Sequence, residues 1–218
     1  MAHSSGIGQS EPTRLELIGA KTGNCLRAAI GLSEAGLSYR IRHIDLRRSE
    51  QGSPAHLALN PAGQVPVLIL HPAPGSPGFV LTQSSAILFY ADELAPTRLL
   101  PPPGSPMRVK ALEAYFYFTS DVIAANGAAF ALNSEGFVAA ANVLSERSLT
   151  LLTNSERFLS NAGYMGGDCF SIADIAGFTI ATAVAAQLPW DRLPRLDAWR
   201  ARIARRPALQ QGMAAFNR

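Results

Sequence analysis

Apolar and polar positions change their period several times along the first half of this chain. Leu15-Glu16-Leu17-Ile18 is a short strand-like run. From Cys25 the spacing lengthens: Ala28, Ala29, Leu32 and Ala35 share one helical face, and Gly36 supplies a natural stop after it. Tyr39, Ile41 and His43 alternate with Arg40 and Arg42, and Ile44 and Leu46 follow after a register change, which predicts a second strand. Strand, helix, strand in this order predicts a βαβ unit. Arg47 to Ala58 reads as surface loop or short helix. Val67-Leu68-Ile69-Leu70 and Phe79-Val80-Leu81 are apolar runs on either side of a Pro/Gly-rich turn, His71 to Gly78, and so predict a hairpin. Ala86, Ile87, Phe89 and Tyr90 then begin a helix with Ser84 as its N-cap. The resulting order, β-α-β-(α)-β-β-α, is a complete small α/β layer.

Past Leu94 the pattern breaks. Five prolines, with Gly104 and Ser105, fall between Leu94 and Pro106, a density that no helix or strand interior survives. Beyond it the spacing is helical throughout: Met107 to Phe130, Phe137 to Leu159, Ile172 to Leu188, Pro194 to Arg205 and Ala208 to Phe216. The predicted division is therefore a flexible leader over 1–13, an α/β domain over 14–94, a linker over 95–106 and an all-helical domain over 107–218. Phe170-Ser171-Ile172-Ala173-Asp174-Ile175 is a capping box with a hydrophobic staple, Ser171 being the N-cap and Asp174 its partner three residues on. That is a folding signal for a buried helix. Tyr115-Phe116-Tyr117-Phe118 cannot all face one way on a helix, so part of this patch is expected to line a cleft.

Composition narrows the function. The 218 residues are 48% hydrophobic and 16% charged, with a net charge of +3. The arginines cluster without aromatic interleaving, which argues against nucleic acid. No apolar run is long enough to span a membrane, and the polar first 13 residues lack the apolar core of a signal peptide. Two cysteines, Cys25 and Cys169, make no disulfide framework, and a cytoplasmic setting is the default. His43, His56 and His71 lack the spacing of a metal site and read as surface histidines. Cys169, beside the capping box, reads as core.

Chemistry concentrates at two turns. Pro66 precedes an apolar strand, where a proline suits a strand start, an edge or a special turn such as a cis bond. A strand edge at Val65, beside a helix start at Gln83-Ser84 with its unpaired N–H groups, makes a receptor for a small extended peptide with an acidic end. Thr22-Gly23-Asn24-Cys25, between the first strand and first helix, shares that end of the sheet. Thr22 offers a hydroxyl, Asn24 an amide and Cys25 a thiol. The same residues also read as a helix cap over a small buried cysteine.

Asn60-Pro61-Ala62-Gly63-Gln64-Val65-Pro66, then Gln83-Ser84-Ser85-Ala86-Ile87, the proline linker, and Gly167-Asp168-Cys169-Phe170-Ser171-Ile172-Ala173-Asp174 together resemble the glutathione S-transferase family. The resemblance implies a thioredoxin-like N-terminal domain, an all-helical C-terminal domain, a homodimer, and glutathione as cosubstrate without a metal. Gln64, Val65 and Pro66 would hold its cysteinyl part, Val65 main chain to main chain before a cis Pro66. Gln83 and Ser84 would hold the γ-glutamyl end. Thr22-Gly23-Asn24 is similar to the Thr-x-Asn of the bacterial nu class, in which Thr and Asn contact the sulfur, whereas theta-like enzymes have Ser at that first position. Thr22 and Asn24 are thus the implied catalytic pair, and Cys25 is a candidate redox thiol because beta-class enzymes carry a catalytic Cys near this turn. The partner would be a small hydrophobic electrophile or a disulfide, with Tyr115, Phe118 and Val122 offered as its lining. The rival readings are a glutathione-dependent disulfide reductase and a non-catalytic glutathione-binding protein.

Overall fold

The computed structural model describes residues 14–71, 78–96, 98–159 and 163–217. The predicted leader and the tip of the hairpin lie outside the described residues, as does Thr97 of the linker. The elements run β1 (Arg14–Gly19), α1 (Gly23–Glu34), β2 (Tyr39–His43), α2 (Pro54–Leu57), β3 (Val67–His71), β4 (Phe79–Thr82) and α3 (Ser84–Leu94). Helices α4 (Pro106–Phe116), α5 (Ala124–Ser134), α6 (Val138–Asn154), α7 (Ile172–Ala183), α8 (Pro194–Ile203) and α9 (Pro207–Ala214) follow.

The sheet order is β2-β1-β3-β4, with β1 and β2 parallel and the other neighbours antiparallel. Successive strand residues point to opposite faces, so β1 and β3 feed two cores. Leu15, Leu17, Leu68 and Leu70 join the main core with α1 and α3, while Ile18, Val67 and Ile69 pack with Ile44 and Leu59 on the other face. A fully buried Leu or Ile such as Leu17 or Ile18 contributes about 1.5–3 kcal/mol through burial. This is a thioredoxin-like mixed sheet followed by a helical half.

Helix α1 is the keystone. Cys25, Ala28, Ala29 and Leu32 are fully buried, and the helix packs against α3, α7 and α9. Small residues permit this crowding. A Cβ at Gly212 of α9 would lie 2.5 Å from Ile30 Cα, so that glycine lets α9 rest directly on the α1 backbone. Glu34, at the end of α1, takes a two-pronged bond from Arg206 at 2.8 and 2.6 Å. Gly36 follows with φ +70°, the left-handed turn expected of a helix stop.

The long helix predicted over 107–130 is not a regular one. Residues 117–123 form a π-helical stretch between α4 and α5. The next predicted helix is regular only to Asn154 and then tightens to a 3₁₀ turn over Ser155–Leu159, and the Ile172 helix ends at Ala183 rather than Leu188. The capping box is present as predicted. Asp174 accepts from the Ser171 amide at 2.9 Å, and also from Met165 N at 2.9 Å and Trp199 Nε1 at 2.8 Å. One buried carboxylate therefore ties α7 to α8 and to the turn before it. Cys169, read as core, is instead exposed, because it precedes the cap on the outer side of that turn.

Candidate functional site

Thr22 caps α1: its backbone is extended (φ −123°, ψ 157°) and its Oγ1 accepts from Cys25 N at 3.4 Å. That bond uses an oxygen lone pair, and the hydroxyl also reaches the Cys25 thiol. Asn24, in the first turn of α1, is exposed, and its Oδ1 accepts from Arg27 Nη1 at 2.9 Å. The same Arg27 nitrogen donates to Ser84 Oγ at 2.8 Å, across 57 residues of sequence.

Ser84 is not the cap of α3. The cap position belongs to Gln83, which sits at φ 73°, ψ 116° and makes no side-chain capping bond. A non-glycine residue with positive φ is strained and is held only where its surroundings demand it, a recurrent feature of functional sites. The bend it makes turns the Ser84 side chain inward to Arg27 and leaves the first amides of α3 without helical partners.

The third wall is the turn before β3. The Gln64 carbonyl accepts from Asn60 Nδ2 at 2.9 Å and lies 3.0 Å from His56 Nε2. His56 is 3% exposed, so it is a buried turn-holding residue and not the surface histidine predicted. The Val65–Pro66 bond is cis, and the ladder pairing of β3 starts only at Val67. Among the described residues, neither the amide nor the carbonyl of Val65 has a hydrogen-bond partner.

These walls meet. A small cavity of about 20 Å³ is lined by Asn24, Gln64, Val65, Pro66, Gln83 and Ser84, with Asn60 behind them. Six predicted residues are thus brought to one place. Thr22 stands next to it on the α1 loop without lining it. A larger cavity, about 800 Å³, is bounded by Lys21 of the same loop with His43, Asp45, Arg47 and Phe216.

Two groups of predicted residues are corrected. Tyr115, Phe118 and Val122 have no exposed surface. The helix that carries them packs on α7, where the Phe118 ring lies over Gly177, so they are core and cannot line an open cleft. Phe116, their neighbour, is the exposed member of the patch. Cys25 is fully buried, and burial raises its thiol pKa, opposed by hydrogen bonds to Thr22 and Ala20 and by the Arg27 charge. A redox role does not suit it. Arg27 itself is 3% exposed, and burial lowers its pKa to about 10.

Sequence reasoning missed Arg27, His56 and Asn60 as site-building residues. Asn60 stands in the run that carries the resemblance, but the contacts of Arg27 and His56 follow no local pattern. Among the described residues no group of His, Cys, Asp or Glu is arranged to hold a metal ion, and no helix is long and apolar enough to cross a membrane. Chemically, the site offers an unpaired peptide edge facing two helix starts and their polar side chains. Such an arrangement suits an extended peptide carrying negative charge.

The family model for the glutathione S-transferase N-terminal domain matches residues 18–93. Glutathione S-transferase GstA of Escherichia coli O157:H7 is 30% identical over 201 residues, covering 89% of this chain and 96% of that protein. The disulfide-bond oxidoreductase YfcG of Escherichia coli K12 is 28% identical over 208 residues, covering 91% and 94%. Among solved structures, the glutathione transferase URE2P8 from Phanerochaete chrysosporium, crystallised with oxidized glutathione, aligns with a TM-score of 0.79 at 26% identity, covering 93% of this chain and 95% of that one.

Proposed function

The chain belongs to the glutathione S-transferase family, and on that footing we propose that it binds glutathione along Val65 and activates its thiol for attack on an electrophile. The observation that carries this reading is the unpaired amide and carbonyl of Val65, set beside Gln83 and Ser84. An extended cysteinyl residue satisfies both groups as an added strand does. The γ-glutamyl carboxylate then reaches the free amides at the start of α3.

With the peptide so placed, its sulfur lies near the α1 loop. The Thr22 hydroxyl, whose oxygen already accepts from Cys25 N, donates to it. The Asn24 amide nitrogen donates as well, and the N-terminal end of α1 favours negative charge. Stabilising the anion lowers the thiol pKa, so the proton passes to solvent and the thiolate forms. The thiolate then makes a carbon–sulfur bond while the electrophile's leaving group departs with its electron pair. The nucleophile is the cosubstrate's own sulfur, and no bond to the protein forms. The 800 Å³ cavity beside Lys21 and Phe216 has the volume for the electrophile. In this reading the enzyme is a cytoplasmic homodimer.

A second reading is favoured by the YfcG relative, a disulfide-bond oxidoreductase. The same thiolate attacks a disulfide in place of carbon, giving a mixed disulfide and releasing one thiolate. Cys25 takes no part in either version, since it is buried. The discriminating experiment is Thr22→Ala with Asn24→Ala, assayed with glutathione against a panel of electrophiles and low-molecular-weight disulfides. Turnover falls at least tenfold on whichever class is the substrate; unchanged turnover refutes the assignment. Glutathione binding without turnover of either class identifies a binding protein instead.

A further inference from the structure

The guanidinium of Arg27 lies beneath the proposed glutathione site, buried, and with no ion-pairing carboxylate among the described residues. A buried cation without an anion is costly. Here its Nη1 is satisfied by two neutral acceptors, Asn24 Oδ1 and Ser84 Oγ, while its buried Nε has no partner. Both acceptors line the cavity at Val65 and Pro66.

Arginine has donors only, so whatever it meets must accept. The Asn24 atom facing it is therefore the carbonyl oxygen, and the Asn24 NH₂ is the end left to the site. The Ser84 oxygen is likewise engaged as an acceptor, so its O–H proton points elsewhere. We propose that Arg27 is the positioning residue of this site: one buried nitrogen sets the amide orientation of Asn24 and the hydroxyl orientation of Ser84, so that both present donors to an anionic tripeptide. The inference rests on the glutathione reading. It assigns the missing counter-charge of Arg27 to the ligand, whose thiolate and γ-glutamyl carboxylate are reached through Asn24 and Ser84 respectively. Without Arg27, Asn24 is free to flip its oxygen toward the sulfur, and Ser84 is free to turn its lone pairs toward the carboxylate.

The test compares Arg27→Gln and Arg27→Lys with the unaltered protein, by calorimetric titration with glutathione and by ultraviolet titration of the bound thiolate. Arg27→Gln is expected to weaken binding about tenfold or more, the scale of a lost charge-assisted hydrogen bond, and to move the deprotonation midpoint of the bound thiol to higher pH. Arg27→Lys, which keeps a donor-only cation, recovers most of both. A purely structural arginine lowers the melting temperature while leaving both readouts unchanged, and that result overturns the proposal. If neither variant folds, the side-chain amide resonances of Asn24 in the unaltered protein decide. Their NH₂ protons shift on adding glutathione if they donate to it; fixed resonances at saturation overturn the inference. Unaltered protein that gives no binding heat removes the glutathione reading itself, a failure distinct from that of Arg27 alone.

Discussion

Asp174→Ala isolates the buried carboxylate that ties α7, which packs against α1, to its surroundings. Asp174 is fully buried, and it holds Met165 N, Ser171 N and Trp199 Nε1 at 2.8–2.9 Å. Truncation leaves three N–H groups without an acceptor, each costing about 1–3 kcal/mol, so a loss of at least about 3 kcal/mol is expected where the wild-type residue is neutral. Burial pushes the Asp174 carboxyl from the ordinary 3.8 up to about 6, against the opposing hydrogen bonds. Between those values the native state binds more protons than the unfolded chain. Stability from this group therefore falls as pH rises through the window, by about 3 kcal/mol in all. The cost of Asp174→Ala is accordingly larger at pH 5 than at pH 8, by roughly 1–2 kcal/mol. Urea unfolding of both proteins at the two pH values, followed by tryptophan fluorescence, measures this difference and cancels the other titrating groups. A larger cost at pH 8 refutes the reasoning, since it means that the charged form is the one the site favours, and so does a cost below about 1 kcal/mol at pH 5. Asp174→Asn, which keeps an acceptor for part of this set, destabilises less and removes the pH dependence.

The remaining expectations concern packing and reactivity. Glu34 is nearly buried and Arg206 about one-third exposed, so Arg206→Ala strands a buried carboxylate and costs about 3 kcal/mol or more, whereas Glu34→Gln costs about 1; equal costs by denaturant unfolding contradict this. Gly177→Ala places a methyl 2.9–3.3 Å from the Phe118 ring and lowers stability by about 1–3 kcal/mol through overpacking; a neutral melting temperature counts against that contact. Under native conditions a thiol reagent labels exposed Cys169 and spares buried Cys25, as peptide mass mapping reads out, and the labelled protein keeps its turnover. Rapid labelling of Cys25 reopens a redox role for it.

Most of the fold was legible because the hydrophobic periods are clean. Alternation at Tyr39 to His43, the apolar runs on either side of the hairpin and the 3.6-residue spacing of α1 each map to one element. The capping box was legible because both of its partners lie within four residues of each other. What failed was long-range or depended on backbone bends. The π-helical stretch over 117–123 has no signature in spacing, and it belongs to the same packed run that buries Tyr115, Phe118 and Val122. Ser84 looked like a cap by residue type, but the positive φ of Gln83 moves the cap one place back. Arg27 joins Ser84 over 57 positions and His56 reaches the Gln64 carbonyl over eight. Only tertiary structure makes those pairs visible, whereas the Gln64-Val65-Pro66 turn that they serve stood out in the sequence itself.

The most direct test is a crystal structure of the protein soaked with glutathione. The account predicts the cysteinyl amide and carbonyl paired with those of Val65, the γ-glutamyl carboxylate at the start of α3 beside Ser84, and the sulfur within hydrogen-bonding distance of Thr22 Oγ1 and Asn24 Nδ2. Glutathione bound elsewhere, or a Val65 edge left unpaired at saturating ligand, contradicts it.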